Sequence, residues 1–142
     1  MSSTVDNTCV LKIIAVNDVY SNNNLPFLKT CREEEESTAN KCIAVLPGDF
    51  VSPSLLSSID KGASMIRCMN SAGIDYVCFG NHEADISFHE LQKRVKESSF
   101  QWINSNMPEI DIPTDNAPPY VIIDVVSKSG LKTVYNTVNG DE

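Results

Sequence analysis

The chain has 142 residues, 42% of them hydrophobic and 21% charged, with a formal net charge of −8 and a pI near 4.6. That length accommodates one domain, which by its size would bury about 68–70% of the surface its unfolded chain exposes. So acidic a balance excludes nucleic-acid binding through a broad phosphate-backbone footprint, but not a phosphate ester neutralised locally by metal ions.

The five cysteines are widely spaced, odd in number and without a C-x-x-C pair. Three of them, Cys9, Cys42 and Cys78, lie in apolar runs where a free thiol behaves as a small hydrophobe, so reduced thiols are expected. The N-terminus "MSSTVDNTC" has neither the basic nor the apolar region of a signal peptide. No apolar run approaches the ~20 residues that span a membrane. The expectation is a soluble, cytoplasmic protein with no membrane partner and no nucleic-acid partner.

In chain order, "CVLKIIAV" (9–16) is rich in β-branched residues and predicts a strand that ends at the loop "NDVYSNNN". "LPFLKTCREEEE" (25–36) predicts a short helix, its Glu33–Glu36 run being a solvated end rather than a metal site. "CIAVLP" (42–47) predicts a second strand, followed at once by "GDF". The stretch 52–73 predicts two helical pieces broken at Gly62, with Ser52 as N-cap and Pro53 in the first helical position. "IDYVCF" (74–79) is a third strand before "GNHEAD", and 85–98 an amphipathic helix with Leu91 and Val95 on one face. "FQWINSNM" (100–107) reads as a fourth strand. A Pro-rich loop then leads to two strands joined by "SKSG".

Strands alternating with helices imply βαβ units and a mainly parallel sheet. The second and third strands are apolar almost throughout, which fits burial on both faces. The domain is expected over 9–138, with residues 1–8 and 139–142 as flexible tails. Three predicted strands each end in a metal-capable group: Asp18, then Asp49, then Asn81 with His82. Ligands of open α/β sheets sit beyond the carboxyl ends of the strands, so these side chains would converge. Gly48 and Gly80 precede two of them, as a tight turn needs. Oxygen ligands with an imidazole suit Zn²⁺, Mn²⁺, Fe or a similar ion. Each residue taken singly also reads as an ordinary polar loop residue; the repetition at three strand ends carries the signal.

"NDVY" (17–20), "PGDF" (47–50) and "GNHEAD" (80–85) resemble, in order and spacing, the opening motifs of the calcineurin-like metallophosphoesterases. "CMNSAGIDYVCFGNHEAD" (68–85) and "WINSNM" (102–107) are similar to the branch that includes 5'-nucleotidases. The resemblance covers about residues 10–107, and the hairpin that follows could extend it to 138. It implies the N-terminal half of a metallophosphoesterase-type β-sandwich flanked by helices, an α/β fold of mainly parallel strands with a C-terminal β-hairpin. It also implies phosphomonoester hydrolysis, on a nucleotide or sugar phosphate, by two divalent metal ions (Zn, Mn, Fe or Mg).

Carried over by position, Asp18 would bind the first metal, Asp49 would bridge both and Asn81 would bind the second. His82 would face the phosphate, either stabilising transition-state charge or protonating the leaving oxygen, oriented by Asp85 one turn on. Glu83, whose side chain should diverge from His82, has a structural or supporting part. Tyr20 stands where the family usually has a metal-binding His, and a neutral phenol is a much poorer ligand. The family's later His ligands have no counterpart, since the only other histidine is His89, read as a surface residue. The resemblance therefore implies a truncated form with little activity alone. Its alternative is a non-catalytic fragment that binds or regulates a full-length relative. A flavodoxin-like binding module would share the alternation of elements, but in this sequence no phosphate-cradling loop follows the first strand.

Overall fold

A computed structural model describes residues 8–105, 107, 109–127, 130 and 132–137. Thr8 apart, the segments expected to be flexible tails lie outside the described residues. Four strands, β1 (Leu11–Ala15), β2 (Lys41–Leu46), β3 (Tyr76–Cys78) and β4 (Gln101–Ile103), form one parallel sheet in the order β1-β2-β3-β4. The register sets Ile13 opposite Ile43, Val45 opposite Tyr76 and Val77 opposite Trp102.

The crossovers carry α1 (Leu25–Glu36), α2 (Leu55–Asp60), α3 (Ala63–Ala72) and α4 (Phe88–Glu97). Right-handed crossovers that all step the same way along a sheet place their helices on one face. Accordingly Leu25 and Leu28 of α1, Ile66 and Met69 of α3, and Leu91 and Val95 of α4 share a buried core with Ala44, Leu46 and Trp102 of the sheet. The opposite face is partly covered by an antiparallel hairpin, β5 (Val121–Val126) and β6 (Lys132–Thr137). There Ile123 and Val125 pack on Ile43, with Leu11, Val45 and Tyr76 around them. The central strand β2 is thus buried on both sides, as its unbroken apolar sequence requires. Among the described residues no helix is long and apolar enough to cross a membrane.

Local sequence chemistry explains most boundaries. Pro26 falls in the first turn of α1, where its missing N–H costs nothing. The acidic end of that helix is engaged rather than merely solvated, Glu36 pairing with Arg32 and Glu35 with Lys12. Helix α2 begins two residues later than the sequence suggests. Its N-cap is Ser54, which exchanges hydrogen bonds with Ser57 in a capping box, whereas Ser52 precedes a cis-proline at 53 and is buried in the loop. A serine followed by proline is a good cap signal, but the second serine has the reciprocal partner three residues on. Strands β3 and β4 are shorter than expected: β3 is confined to 76–78, and β4 stops at Ile103, where the Asn104 side chain turns back to the backbone of Met107. The chain around Asp85 forms a 3₁₀ turn (Asn81–Asp85), so α4 starts only after its Ser87 cap. None of the five cysteines is bonded to another.

The densest packing lies beneath the carboxyl ends of β2 and β3. Trp102, 1% exposed, stacks on Phe79 at 4.5 Å between ring centroids and on Phe50 at 5.4 Å. Phe100 closes the cluster edge-on to Phe50 at 6.0 Å. The indole N–H donates to Ser98 Oγ at 3.0 Å, so burial leaves no donor unpaired. Phe50 and Phe79 are the immediate neighbours of Asp49 and Gly80, and the stack therefore fixes the roots of two loops. Trp102→Ala is expected to lower stability by about 3–5 kcal/mol in urea unfolding. A loss below ~1 kcal/mol would show that the stack is not a principal support.

Candidate functional site

Parallel strands deliver the residues after β1, β2 and β3 to the same edge of the sheet. Two of these arrivals are acids in the left-handed region, Asp18 at φ 52° and Asp49 at φ 58°. Non-glycine residues rarely adopt this conformation, and where they do the surroundings must hold them there. The two glycines are needed for proximity. A Cβ on Gly48, itself at φ 96°, would lie 2.4 Å from the Gly80 nitrogen, and a Cβ on Gly80 would lie 2.3 Å from Asp49 Oδ1. The loops after β2 and β3 press backbone to backbone, and only glycine leaves room.

Glu83 holds them together. Its carboxylate is 1% exposed and accepts four backbone N–H groups. Oε1 takes Phe50 at 3.0 Å and Val51 at 3.2 Å, while Oε2 takes Asp49 at 2.9 Å and Gly80 at 2.6 Å. Burying a carboxylate is expensive unless its oxygens are well bonded, and here both are. Asp49 returns the arrangement by accepting the His82 N–H at 2.8 Å on Oδ1. Each loop thus contributes a carboxylate to the other loop's amides. The sequence reading allowed Glu83 only a supporting part, and the structure shows that part to be large. A signal was present in its spacing: Glu83 follows Gly80 by three residues, the offset at which an acid reaches back to the first amide of a helical turn.

His82 and Asp85 flank Glu83 and lie toward solvent. Nδ1 of His82 is 2.8 Å from Asp85 Oδ2, the contact expected of an i, i+3 pair. The Asp85 bond is the main reason the imidazole titrates above its ordinary value; burial opposes it, and the charges of Asp85, Asp49 and Glu83 add to it. Asp85 is held below the usual carboxylate range by the same bond, and by the Ser52 hydroxyl. A neighbouring pair sits on the β1 side. The Tyr20 hydroxyl donates to Asp18 Oδ1 at 2.8 Å, and Asn17 Nδ2 donates to Oδ2 at 2.6 Å. These bonds, Tyr20 first, lower the Asp18 pKa, while the Tyr20 phenol is pushed up to about 12 because its proton is held by Asp18. The Tyr20 ring meets His82 edge-on at 5.6 Å, which links the two pairs.

Asp49, His82 and Asp85 are therefore directly connected, and Asp18 joins them through Tyr20. Asn81 is exposed at the start of the same 3₁₀ turn, one residue from His82. His89 is remote from this set in role, exposed on α4 beside Glu90. Among the described residues no group of three or more His, Cys, Asp or Glu side chains is arranged to hold a metal ion. The donors present, two carboxylates and an amide oxygen, have the chemistry that oxygen-preferring divalent ions require.

This arrangement, a parallel sheet with helices on one face and a hairpin on the other, is similar in fold to part of several solved 5'-nucleotidases and calcineurin-like phosphoesterases. Similar solved structures include the NAD nucleotidase of Haemophilus influenzae, with a TM-score of 0.69 and 18% identity over 87% of this chain and 25% of that one. A 5'-nucleotidase precursor from Thermus thermophilus matches with a TM-score of 0.69 and 16% identity over 88% of this chain and 27% of that one. The calcineurin-like phosphoesterase YfkN of Bacillus subtilis matches with a TM-score of 0.64 and 18% identity over 90% of this chain and 46% of that one. At these identities the likeness is one of fold, and the chain spans between a quarter and just under half of each neighbour. No protein-family model matches the sequence, and no curated protein matches it either.

The His82–Asp85 contact has a measurable consequence. Asp85→Asn removes the main support of the imidazolium, so the NMR titration midpoint of the His82 ring is expected to fall toward the unperturbed ~6.5. A midpoint unmoved by the substitution would mean that the pair does not control the ring's protonation.

Proposed function

We propose that this chain forms part of a metal-dependent phosphoester hydrolase, a phosphomonoesterase of the 5'-nucleotidase kind acting on a nucleotide or sugar phosphate. The observation that carries the reading is the His82–Asp85 pair on a turn whose backbone is bonded to Asp49. A histidine paired with a carboxylate close to Asp49 supports the role of a proton donor in an acidic site. In an acidic protein an anionic phosphate needs cationic help, and a divalent ion on Asp49 and Asn81 would supply it. Such an ion, when bound, withdraws charge from the phosphoryl oxygens and acidifies water.

The protein's own residues do the rest. Asp85 accepts from Nδ1–H and so leaves Nε2 of His82 as the nitrogen that faces substrate. With its pKa raised, the ring holds its proton to higher pH than a free imidazole, which suits donation to the departing alkoxide oxygen. Ser52 steadies Asp85, and Glu83 keeps the turn seated on the β2 loop.

A second reading, a non-catalytic fragment that binds or regulates a longer relative, is favoured by the lack of three grouped acidic or histidine side chains among the described residues. One assay separates the two. With Mn²⁺ supplied, the hydrolase reading expects release of an aryl alcohol from its phosphate, lowered by Asp49→Asn by about a hundredfold or more. No release above the protein-free blank would favour the fragment, and release undiminished in the variant would contradict the role of Asp49.

A further inference from the structure

We propose that the groove between α1 and α3 binds an amphipathic anion, a free carboxylate that carries an aliphatic chain. The groove has a volume of about 600 Å³, within the range of small-molecule sites. It lies apart from the carboxyl edge of the sheet, and none of Asp18, Asp49, Asn81, His82 or Asp85 lines it. The inference therefore stands independently of the phosphoester reading.

One stripe of each helix makes a wall. Leu25, Pro26 and Lys29 of α1 face Arg67, Cys68 and Ala72 of α3, residues whose three- and four-residue steps put them on one side of their helices. Leu25 and Ala72 are buried, whereas Lys29 and Arg67 are exposed. The long apolar side chains of α3, Met65, Ile66 and Met69, are spent on the core, so short ones are left to border the groove. Asn22, just ahead of α1, donates to Cys68 Sγ at 3.4 Å and ties the two walls together.

Charge selects the occupant. The chain has 19 acidic residues against 11 basic ones, yet two cations and no carboxylate line this groove. Lys12, Arg32, Lys93 and Arg94 each pair with an acid, whereas Lys29 and Arg67 form no ion pair among the described residues. Asp60, the acid that feels Arg67, is outside the lining, and its oxygens accept the amides of Gly62 at 3.0 Å and Ser64 at 2.8 Å. An apolar floor between two unpaired cations fits an apolar body with an anionic head. The lining has no aromatic ring on which a flat ligand could stack, and this favours an alkyl chain. From Ser64 to Ala72 the α3 wall is about 12 Å long, the reach of an extended medium-length acyl chain. A net charge of −8 opposes approach to an anionic membrane, so the amphiphile is a free molecule rather than a bilayer lipid.

The test is a titration of the full 142-residue chain with decanoate below its micelle concentration, followed in assigned ¹H–¹⁵N spectra. Saturable shifts centred on α1 and α3 are expected. Alkylation of Cys68 by iodoacetamide, mapped by mass, should slow severalfold at saturation, while that of Cys31, exposed on α1 and outside the groove, stays unchanged. Lys29→Gln combined with Arg67→Gln is expected to weaken binding by about tenfold, and decanol should bind the wild type as weakly as decanoate binds that variant. A folded chain without saturable shifts, shifts centred away from α1 and α3, or decanol bound as tightly as decanoate would overturn the inference. So would sedimentation with phosphatidylglycerol vesicles by a chain that does not bind decanoate.

Discussion

Everything at the functional edge of this molecule depends on one buried carboxylate. Glu83 gathers four backbone N–H groups from two loops that are more than thirty residues apart in sequence. The energetics are asymmetric. With all four donors in place the buried charge is compensated, whereas removing the acceptor would strand several amides at about 1–3 kcal/mol apiece. The reciprocal bond from the His82 amide to Asp49 makes the assembly mutual, so that neither loop has its observed shape without the other.

This constraint explains features that would otherwise look unrelated. Gly48 and Gly80 are small because Glu83 draws the loops into backbone contact. Asp49 tolerates a left-handed backbone because its own amide is bonded to Glu83 and its side chain to His82. The aromatic stack on Trp102 anchors the same loops from below through Phe50 and Phe79. Rigid packing beneath and a carboxylate within leave the outward groups, His82, Asp85 and Asn81, on a fixed platform. Chemistry that depends on placement within fractions of an ångström needs such support.

Much of this was legible in the sequence. The unbroken apolar run of β2 announced a strand covered on both faces, and its alternation with helical segments announced parallel pairing. The His82–Asp85 contact was implied by the family resemblance, and the i, i+3 spacing allows it. What escaped was set by tertiary partners. The choice of Ser54 over Ser52 as a cap depends on Ser57 answering it, and the early end of β4 on Asn104 bonding back to Met107. The weight carried by Glu83 depends on amides of a distant loop that no local pattern reveals. Tyr20 was visible as a departure from an expected His, but its bond to Asp18 and its contact with His82 belong to the folded chain.

The claim that Glu83 joins the two loops is tested most directly by amide hydrogen exchange in Glu83→Gln, which keeps the side chain's shape and removes its charge. The amides of Asp49, Phe50, Val51 and Gly80 are expected to lose protection together by roughly tenfold or more, while those of Ile43 and Ala44 in the sheet change much less. Four loop amides that keep their wild-type protection would contradict the account.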